Sequence, residues 1–314
     1  MPTCDSRLLK KRRYRQRLRL ARQNVALYIF LLPTLLYFFV FCYMPMYGAQ
    51  IAFRDFNFVN GIWGSKWVGL KWFQYFIKSP VARGALYNTL IINFYRLVTE
   101  FPIPIVLALI MHNLPNAKVR RVMQTITYMP HFISMVVLVS MLSCFFSMNS
   151  GFVNRLIVRL GGTQKQFMGL AEYFRHMFVW SGVWQSMGWG SIIYMAALSG
   201  VNSELHESAM IDGAGKLQRI WHVDLPSILP TIVIMLILQV GSIMNLDFEK
   251  PYLMQNDMNI SVSEMLSTYN YKQGIVKTRY SYSASIGLFT NVVNLTMLLL
   301  VNACSRKFTE TSLW

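Results

Sequence analysis

Charge is scarce in this chain: Asp, Glu, Lys and Arg make up 14% of its 314 residues, where a soluble domain carries about 25%. So little charge argues against a soluble globule, and an apolar share of 54% with mean hydropathy +0.37 excludes a disordered chain. Acidic residues are scarcer still, 13 against 30 basic ones, which leaves a net charge of +17. That imbalance suits either nucleic acid or an anionic membrane, and the positions of the charges must decide between them. Cysteine is limited to Cys4, Cys42, Cys144 and Cys304. Their scatter excludes a disulfide framework and CxxC metal spacing, and packing is the expected role of the two in apolar runs. Catalytic motifs are missing as well. His206-Glu207 opens like a zinc-protease helix but has no second His four residues on. Gly213-Ala214-Gly215-Lys216 ends like a phosphate-binding loop, yet Leu217 stands where a magnesium-holding Ser or Thr is required, and Met210 where the first Gly is. No GxSxG occurs. The chain is therefore expected to hold no catalytic residues, no metal and no ATP of its own.

What is present is apolar length. Runs free of Asp, Glu, Lys and Arg cover 23–53, 122–154, 176–203, 225–246 and 280–305, each longer than the roughly 20 residues a helix needs to cross the bilayer core. Gly84–Met111 is equally apolar apart from Arg96 and Glu100. Six spanning helices follow, and an even number puts both termini on one side. Segments 1–24, 112–121, 200–226 and 304–314 carry 16 of the 30 basic residues, against 13 in the longer segments 47–83, 149–175 and 248–281. The denser side is assigned to the cytoplasm. Nine of the 16 lie in the N-terminal arm. Directly before an apolar span, such a run anchors to anionic lipid headgroups rather than to nucleic acid. The following apolar run is too long for a cleavable signal peptide. The expected organisation is a basic cytoplasmic arm 1–24, a first transmembrane helix 25–46, an extracytoplasmic loop 47–83, a five-helix core 84–305 with a cytoplasmic loop 200–226, and a cytoplasmic tail 306–314.

Within that loop, Glu204 to Ile211 consists of helix-forming residues and ends at Asp212-Gly213. Gly213 permits a bend. A second helical stretch, Lys216 to Val223, is expected to stop before Pro226. A short helix-turn-helix on the inner membrane face would fit a groove on another protein. Glu207-Ser208-Ala209, Gly213, Val223 and Leu225-Pro226, with Asp212-Gly213-Ala214 between them, resemble the EAA loop of type I permease subunits of binding-protein-dependent ABC importers. Ser208 departs from the usual Ala by a small-for-small change. Trp67-Val68-Gly69-Leu70-Lys71, Tyr128 to Ser134, Gly151-Phe152-Val153-Asn154 and Thr311-Ser312-Leu313-Trp314 resemble the subgroup that imports oligosaccharides and polysaccharide fragments, the maltose and alginate importers among them.

The resemblance implies an all-α integral membrane protein in a bacterial plasma membrane, paired with a second homologous permease. It also implies two cytoplasmic ATPase subunits holding ATP and magnesium, and an extracytoplasmic binding protein that delivers an oligosaccharide. On that basis Glu207, Ser208, Ala209, Asp212, Gly213, Ala214, Leu225 and Pro226 form the ATPase-coupling site. Glu207 would meet a basic or polar group, Gly213 would set the bend, and Ala209 and Ala214 would allow close packing.

Other residues are candidates for the substrate path. Arg96 and Glu100, four apart on the second span, share a face. A structural ion pair, a gate and a sugar contact are all open, because intramembrane charges face a bundle or a cavity. Pro102 and Pro104 are expected to kink or break that helix. Trp180 and Trp184 share one face of the fourth span, Gln185 and Trp189 another, and Asn245 and Asp247 follow the fifth. Such side chains suit pyranose faces and hydroxyls, with an interfacial belt and ordinary packing as the competing readings. The outer segments carry a net charge of +8, which suits an acidic binding protein or an acidic sugar such as a uronate oligomer. A proton-coupled secondary transporter using Arg96 and Glu100 is the alternative, although no internal repeat is visible.

Overall fold

The computed structural model describes residues 23–245, 247–309 and 312–313. Nearly all of the basic arm, Cys4, and Thr311 and Trp314 of the tail motif lie outside them. The chain divides into two compact units, Met1–Val68 and Gly69–Trp314.

In the first unit, helix Val25–Phe53 buries nothing along its most apolar stretch. Leu27, Phe30, Leu32 and Phe39 are all more than half exposed, so this rod meets its surroundings through bare hydrocarbon and aromatic groups, as a lipid-facing span does. It runs past the expected end at residue 46. A π-helical stretch, Phe38–Tyr43, lies immediately before Pro45, where a widened turn accommodates a residue that has no N–H. After the helix comes the one departure from the all-α expectation among the described residues. Arg54–Asn57 pairs antiparallel with Ser65–Trp67, with Arg54 opposite Trp67. Ser65 Oγ ties the ribbon together, accepting from Asn57 N at 3.1 Å and donating to Gly61 O at 2.5 Å.

In the second unit, helix Ala171–Ser199 is the centre. It packs on Pro80–Glu100 and Pro102–His112, on Ala117–Tyr128, and on Leu225–Gly241. Leu225–Gly241 in turn packs along Tyr280–Thr309. Ile92, Phe174, Phe178 and Val183 form one buried cluster with Met254 and Met265, and Ile105, Ala108, Tyr194 and Ile228 belong to another. Among the described residues four helices are long and apolar enough to cross a membrane, Val25–Phe53, Pro80–His112, Lys216–Gly241 and Tyr280–Lys307, and five if a bent pair counts as one span. Ala171–Ser199, at 29 residues, is long enough but more polar, because its inward positions include buried Ser181, Gln185 and Ser191. These polar groups face neighbouring helices, while Trp180, Trp184, Ile192 and Ile193 keep the exposed side apolar.

Two expectations are corrected. The stretch 122–154 is not one straight helix: Ala117–Phe132 and Met135–Phe145 meet at 101°. Pro130 tightens the end of the first into a 3-10 turn, Ile133 and Ser134 are extended, and Ser134 Oγ caps the second helix at Val137 N. The helix from Lys216 does not stop before Pro226 but continues to Gly241. Ile220–Asp224 widens into a π turn, with Leu225 N donating to Ile220 O, and this relieves the clash a proline makes with the preceding α turn. Pro102 breaks the second span as expected, dividing it into Pro80–Glu100 and Pro102–His112, without ending it. Phe101 keeps helical angles, φ −75° and ψ −50°, and Pro102 opens the continuation in the first turn, where a missing N–H costs little.

The segment 248–281 is folded rather than extended. Asn88 donates to Ser261 O and Glu264 O at 2.9 and 3.1 Å, Thr89 Oγ1 accepts from Leu266 N at 2.9 Å, and Lys272 pairs with Glu264 at 2.7 Å. These bonds hold Ile260–Ser263 and Leu266–Tyr271 against helix Pro80–Glu100. Asn154, in the Gly-Phe-Val-Asn motif, is buried and clasps the 146–165 loop. It donates to Ser147 O and Lys165 O at 3.0 and 2.9 Å and accepts from Lys165 N at 2.8 Å.

Candidate functional site

The loop after the central helix is a short helix-turn-helix. Asn202 caps Ser203–Ile211 through its Oδ1, which accepts from Glu204 N at 3.0 Å. The helix ends on Gly213, whose φ of +78° lies in the left-handed region, as a helix terminus closed by glycine requires. Gly213 N and Ala214 N close the turn on Met210 O and Ala209 O at 3.1 and 2.8 Å. Lys216–Arg219 then starts, with Gly215 N donating to Gln218 Oε1 at 2.7 Å.

No residue of Ser203–Ile211 is buried, and Glu207, Ser208 and Asp212 are exposed. Large apolar side chains stand out beside them: Ile211 is 87% exposed, Leu217 82% and Trp221 66%. Ala209, Asp212, Gly213, Ala214, Gln218 and His222 line a shallow groove between the two helical pieces. Leu225 and Pro226 sit at its root, in the first turn of Leu225–Gly241.

A second concave site lies among the helices. Arg96, Glu100, Gln185 and Asp247 share a cavity of about 380 Å³ with His131 and Lys250, within the roughly 300–1,000 Å³ of small-ligand sites. Arg96 Nε donates to Glu100 Oε2 at 2.8 Å. Lys250 is 5% exposed, donates through Nζ to Phe178 O at 2.8 Å and lies over the Phe178 ring at 4.7 Å. Gly182 makes room for this cluster, since a β-carbon there would strike Glu100 Oε1 and crowd Lys250 Nζ.

The other candidates for the path do different things. Gln185 is buried and donates from Nε2 to Ile133 O at 2.9 Å, satisfying a carbonyl freed at the 101° bend. Trp189 stacks on His131 with centroids 4.5 Å apart. Trp180 and Trp184 instead line a separate apolar cleft with Leu138, Leu142 and Phe145, and Trp180 Nε1 donates to Tyr95 Oη at 3.0 Å. Asn245 accepts from Asn294 Nδ2 at 2.9 Å, a bond that ties the segment just past Leu225–Gly241 to the middle of Tyr280–Thr309.

Residues 102–310 match the family model described as the binding-protein-dependent transport system inner membrane component. The chain belongs to this family of permeases. Protein LplB of Bacillus subtilis (strain 168) is 42% identical to the permease, over 92% of this chain and 91% of its own. The polygalacturonan/rhamnogalacturonan transport system permease protein YteP of the same organism is 38% identical, over 100% of this chain and 98% of its own. Among solved structures, the permease resembles a chain of a bacterial ABC transporter involved in the import of the acidic polysaccharide alginate. That match has a TM-score of 0.87 and 34% identity over 94% of this chain and 99% of that one. A chain of the bacterial alginate ABC transporter in complex with an alginate pentasaccharide-bound periplasmic protein matches with a TM-score of 0.86 and 34% identity, over 93% and 98%.

The permease is thus a multi-pass helical membrane component of a binding-protein-dependent ABC importer, and a proton-coupled carrier is not favoured. Lys250 was not among the residues read as lining its path. Charge counting assigns Lys250 to an outer loop, and nothing around it in the sequence marks its burial: Pro251 and Met254 are buried with it, while Tyr252 and Leu253 are exposed. Gly182 carries no sequence signal of its own, and His131 stands out only as part of the Tyr128–Ser134 motif, since the fold alone brings Glu100 over one and Trp189 against the other.

Proposed function

We propose that this permease imports oligosaccharides containing uronate units, delivered by an extracytoplasmic binding protein. In this reading it crosses a bacterial plasma membrane six times with both termini in the cytoplasm, and it pairs with a second homologous permease. Two cytoplasmic ATPase subunits hold the ATP and magnesium and dock on the 203–224 loop. Closure of the ATPases moves this loop and, through the helices on either side of it, turns the cavity from one face of the membrane to the other.

The observation that carries the proposal is the exposure of Ile211, Leu217 and Trp221 around Glu207 and Gly213. A helix-turn-helix with bare apolar side chains and a preformed glycine bend is built to be covered by another protein. For the substrate, the names of YteP and of the alginate importers indicate acidic sugars. The cavity adds Arg96 and Lys250, cations able to face a carboxylate.

Two measurements test the two halves. In the reconstituted complex, uronate oligomers should be taken up faster than neutral oligosaccharides of equal length; preference for the neutral sugars sinks the acidic substrate. Glu207→Lys and Gly213→Pro should each abolish ATP-driven uptake, and uptake that continues in both overturns the docking role of the loop.

A further inference from the structure

At the root of the same loop lies a cluster that neither coupling nor sugar binding uses. His112 ends the Pro80–His112 helix, His206 lies on Ser203–Ile211, and Asp224 closes the π turn that leads into Leu225–Gly241. One donor atom from each lies within 4.8 Å of the other two. Asp224 is fully buried, at 0% exposure. Its Oδ2 accepts from Asn113 Nδ2 at 2.9 Å. Its Oδ1 stands 3.1 Å from His206 Nε2, yet it makes no hydrogen bond among the described residues. Neither a lysine nor an arginine forms an ion pair with this carboxylate among the described residues. A buried carboxylate keeps its charge only beside a cation.

We propose that His112, His206 and Asp224 form a binding site for a divalent transition metal of the zinc class. Two imidazoles and one carboxylate are the donor set such ions take, with a fourth position left for water or a partner's side chain. Magnesium and calcium prefer all-oxygen shells, so the two imidazoles select against them. A tetrahedral zinc with bonds of about 2.0–2.2 Å holds its donors roughly 3.4 Å apart. The Asp224–His206 pair, at 3.1 Å, is already near that spacing, and the His112 donor lies within 4.8 Å of both. Asn113 fixes the second carboxylate oxygen, the kind of outer contact that orients a metal ligand. Because residues 112, 206 and 224 belong to three different elements, no sequence spacing announces the site. A bound ion would tie Ser203–Ile211, which has no buried residue of its own, to the end of the second span.

The test uses the full-length permease purified with its partner subunits, stripped with a chelator and titrated with Zn²⁺, and with Co²⁺ for its visible spectrum. One ion should bind per permease chain, Co²⁺ should show tetrahedral d–d absorption, and Zn²⁺ should raise the melting temperature. His206→Ala and His112→Ala should each abolish the Co²⁺ absorption, and Asn113→Ala should weaken Zn²⁺ about 10–100-fold. Asp224→Asn, nearly the same shape as the wild type, should lose binding with the fold intact by circular dichroism. Absence of saturable binding below about 1 mM, or binding that is equally tight in the two histidine variants, overturns the site.

Discussion

A glycine on the central helix, Gly188, decides how closely one neighbour approaches. A β-carbon on Gly188 would overlap the Thr127 carbonyl and crowd Tyr128 N, which are backbone atoms that move only with their whole helix. Gly188→Ala should therefore separate Ala171–Ser199 from Ala117–Tyr128 and destabilise the permease by about 1–3 kcal/mol, the usual range for overpacking. Gly84 has nothing within 4 Å of the same built atom, so Gly84→Ala should leave stability unchanged or raise it slightly, as alanine does in a helix. Melting curves in detergent compare the two, and equal melting temperatures would refute the close approach. Gln185 makes a similar point with a polar group. Gln185→Leu strips the donor from Ile133 O at the helix break and should cost about 1–3 kcal/mol through an unsatisfied buried carbonyl. Gln185→Glu in its protonated form keeps a donor, so its melting temperature should fall less at low pH than at high pH.

At the scale of elements, the apolar runs and the glycine-ended loop were legible in the sequence because each depends on local chemistry. Length and hydropathy mark a span, and Asp212-Gly213 marks a left-handed helix end. The bend at Ile133–Ser134 was not legible. Its signals, Pro130 and Ser134, lie inside an uncharged run that reads as continuous, and the carbonyl they free is satisfied by Gln185, 52 residues away. Pro226 misled in the opposite direction, since a π turn lets the helix pass a proline that sequence rules treat as a stop. Of the path candidates, Arg96 and Glu100 were legible from their i,i+4 spacing, while Trp180 and Trp184 were grouped with them only because helical periodicity does not say which face meets which neighbour. A prediction follows for the turn. Gly213 has φ +78° and open space around it, so Gly213→Ala meets no clash and bears only the left-handed conformational cost of about 1–2 kcal/mol. Gly213→Asn, which tolerates that region, should restore most of what Ala loses. Sugar-stimulated ATPase activity of the assembled complex measures this, and Asn behaving no better than Ala would show that the turn conformation is not what coupling requires.

For the whole molecule, the distribution of positive charge bears on which way the chain is threaded through the membrane. In the proposed topology the 200–226 loop lies on the side denser in Lys and Arg, together with the N-terminal arm, and the 149–175 segment lies on the other. The margin comes largely from the N-terminal arm, so the assignment is best tested on residues far from it. Leu217 is 82% exposed on the loop and Leu160 is 79% exposed after Phe152–Arg159. Both are apolar side chains in open positions, and a cysteine at either should leave the fold unaltered. With the four native cysteines replaced by serine or alanine, a membrane-impermeant maleimide should label Leu160→Cys in intact cells. Leu217→Cys should be labelled only in inverted vesicles, and more slowly once the ATPase subunits are bound. The reverse labelling pattern would put the loop on the outer face. That result would remove the ATPase-docking role of Glu207 and Gly213, because ATP is supplied on the cytoplasmic side alone.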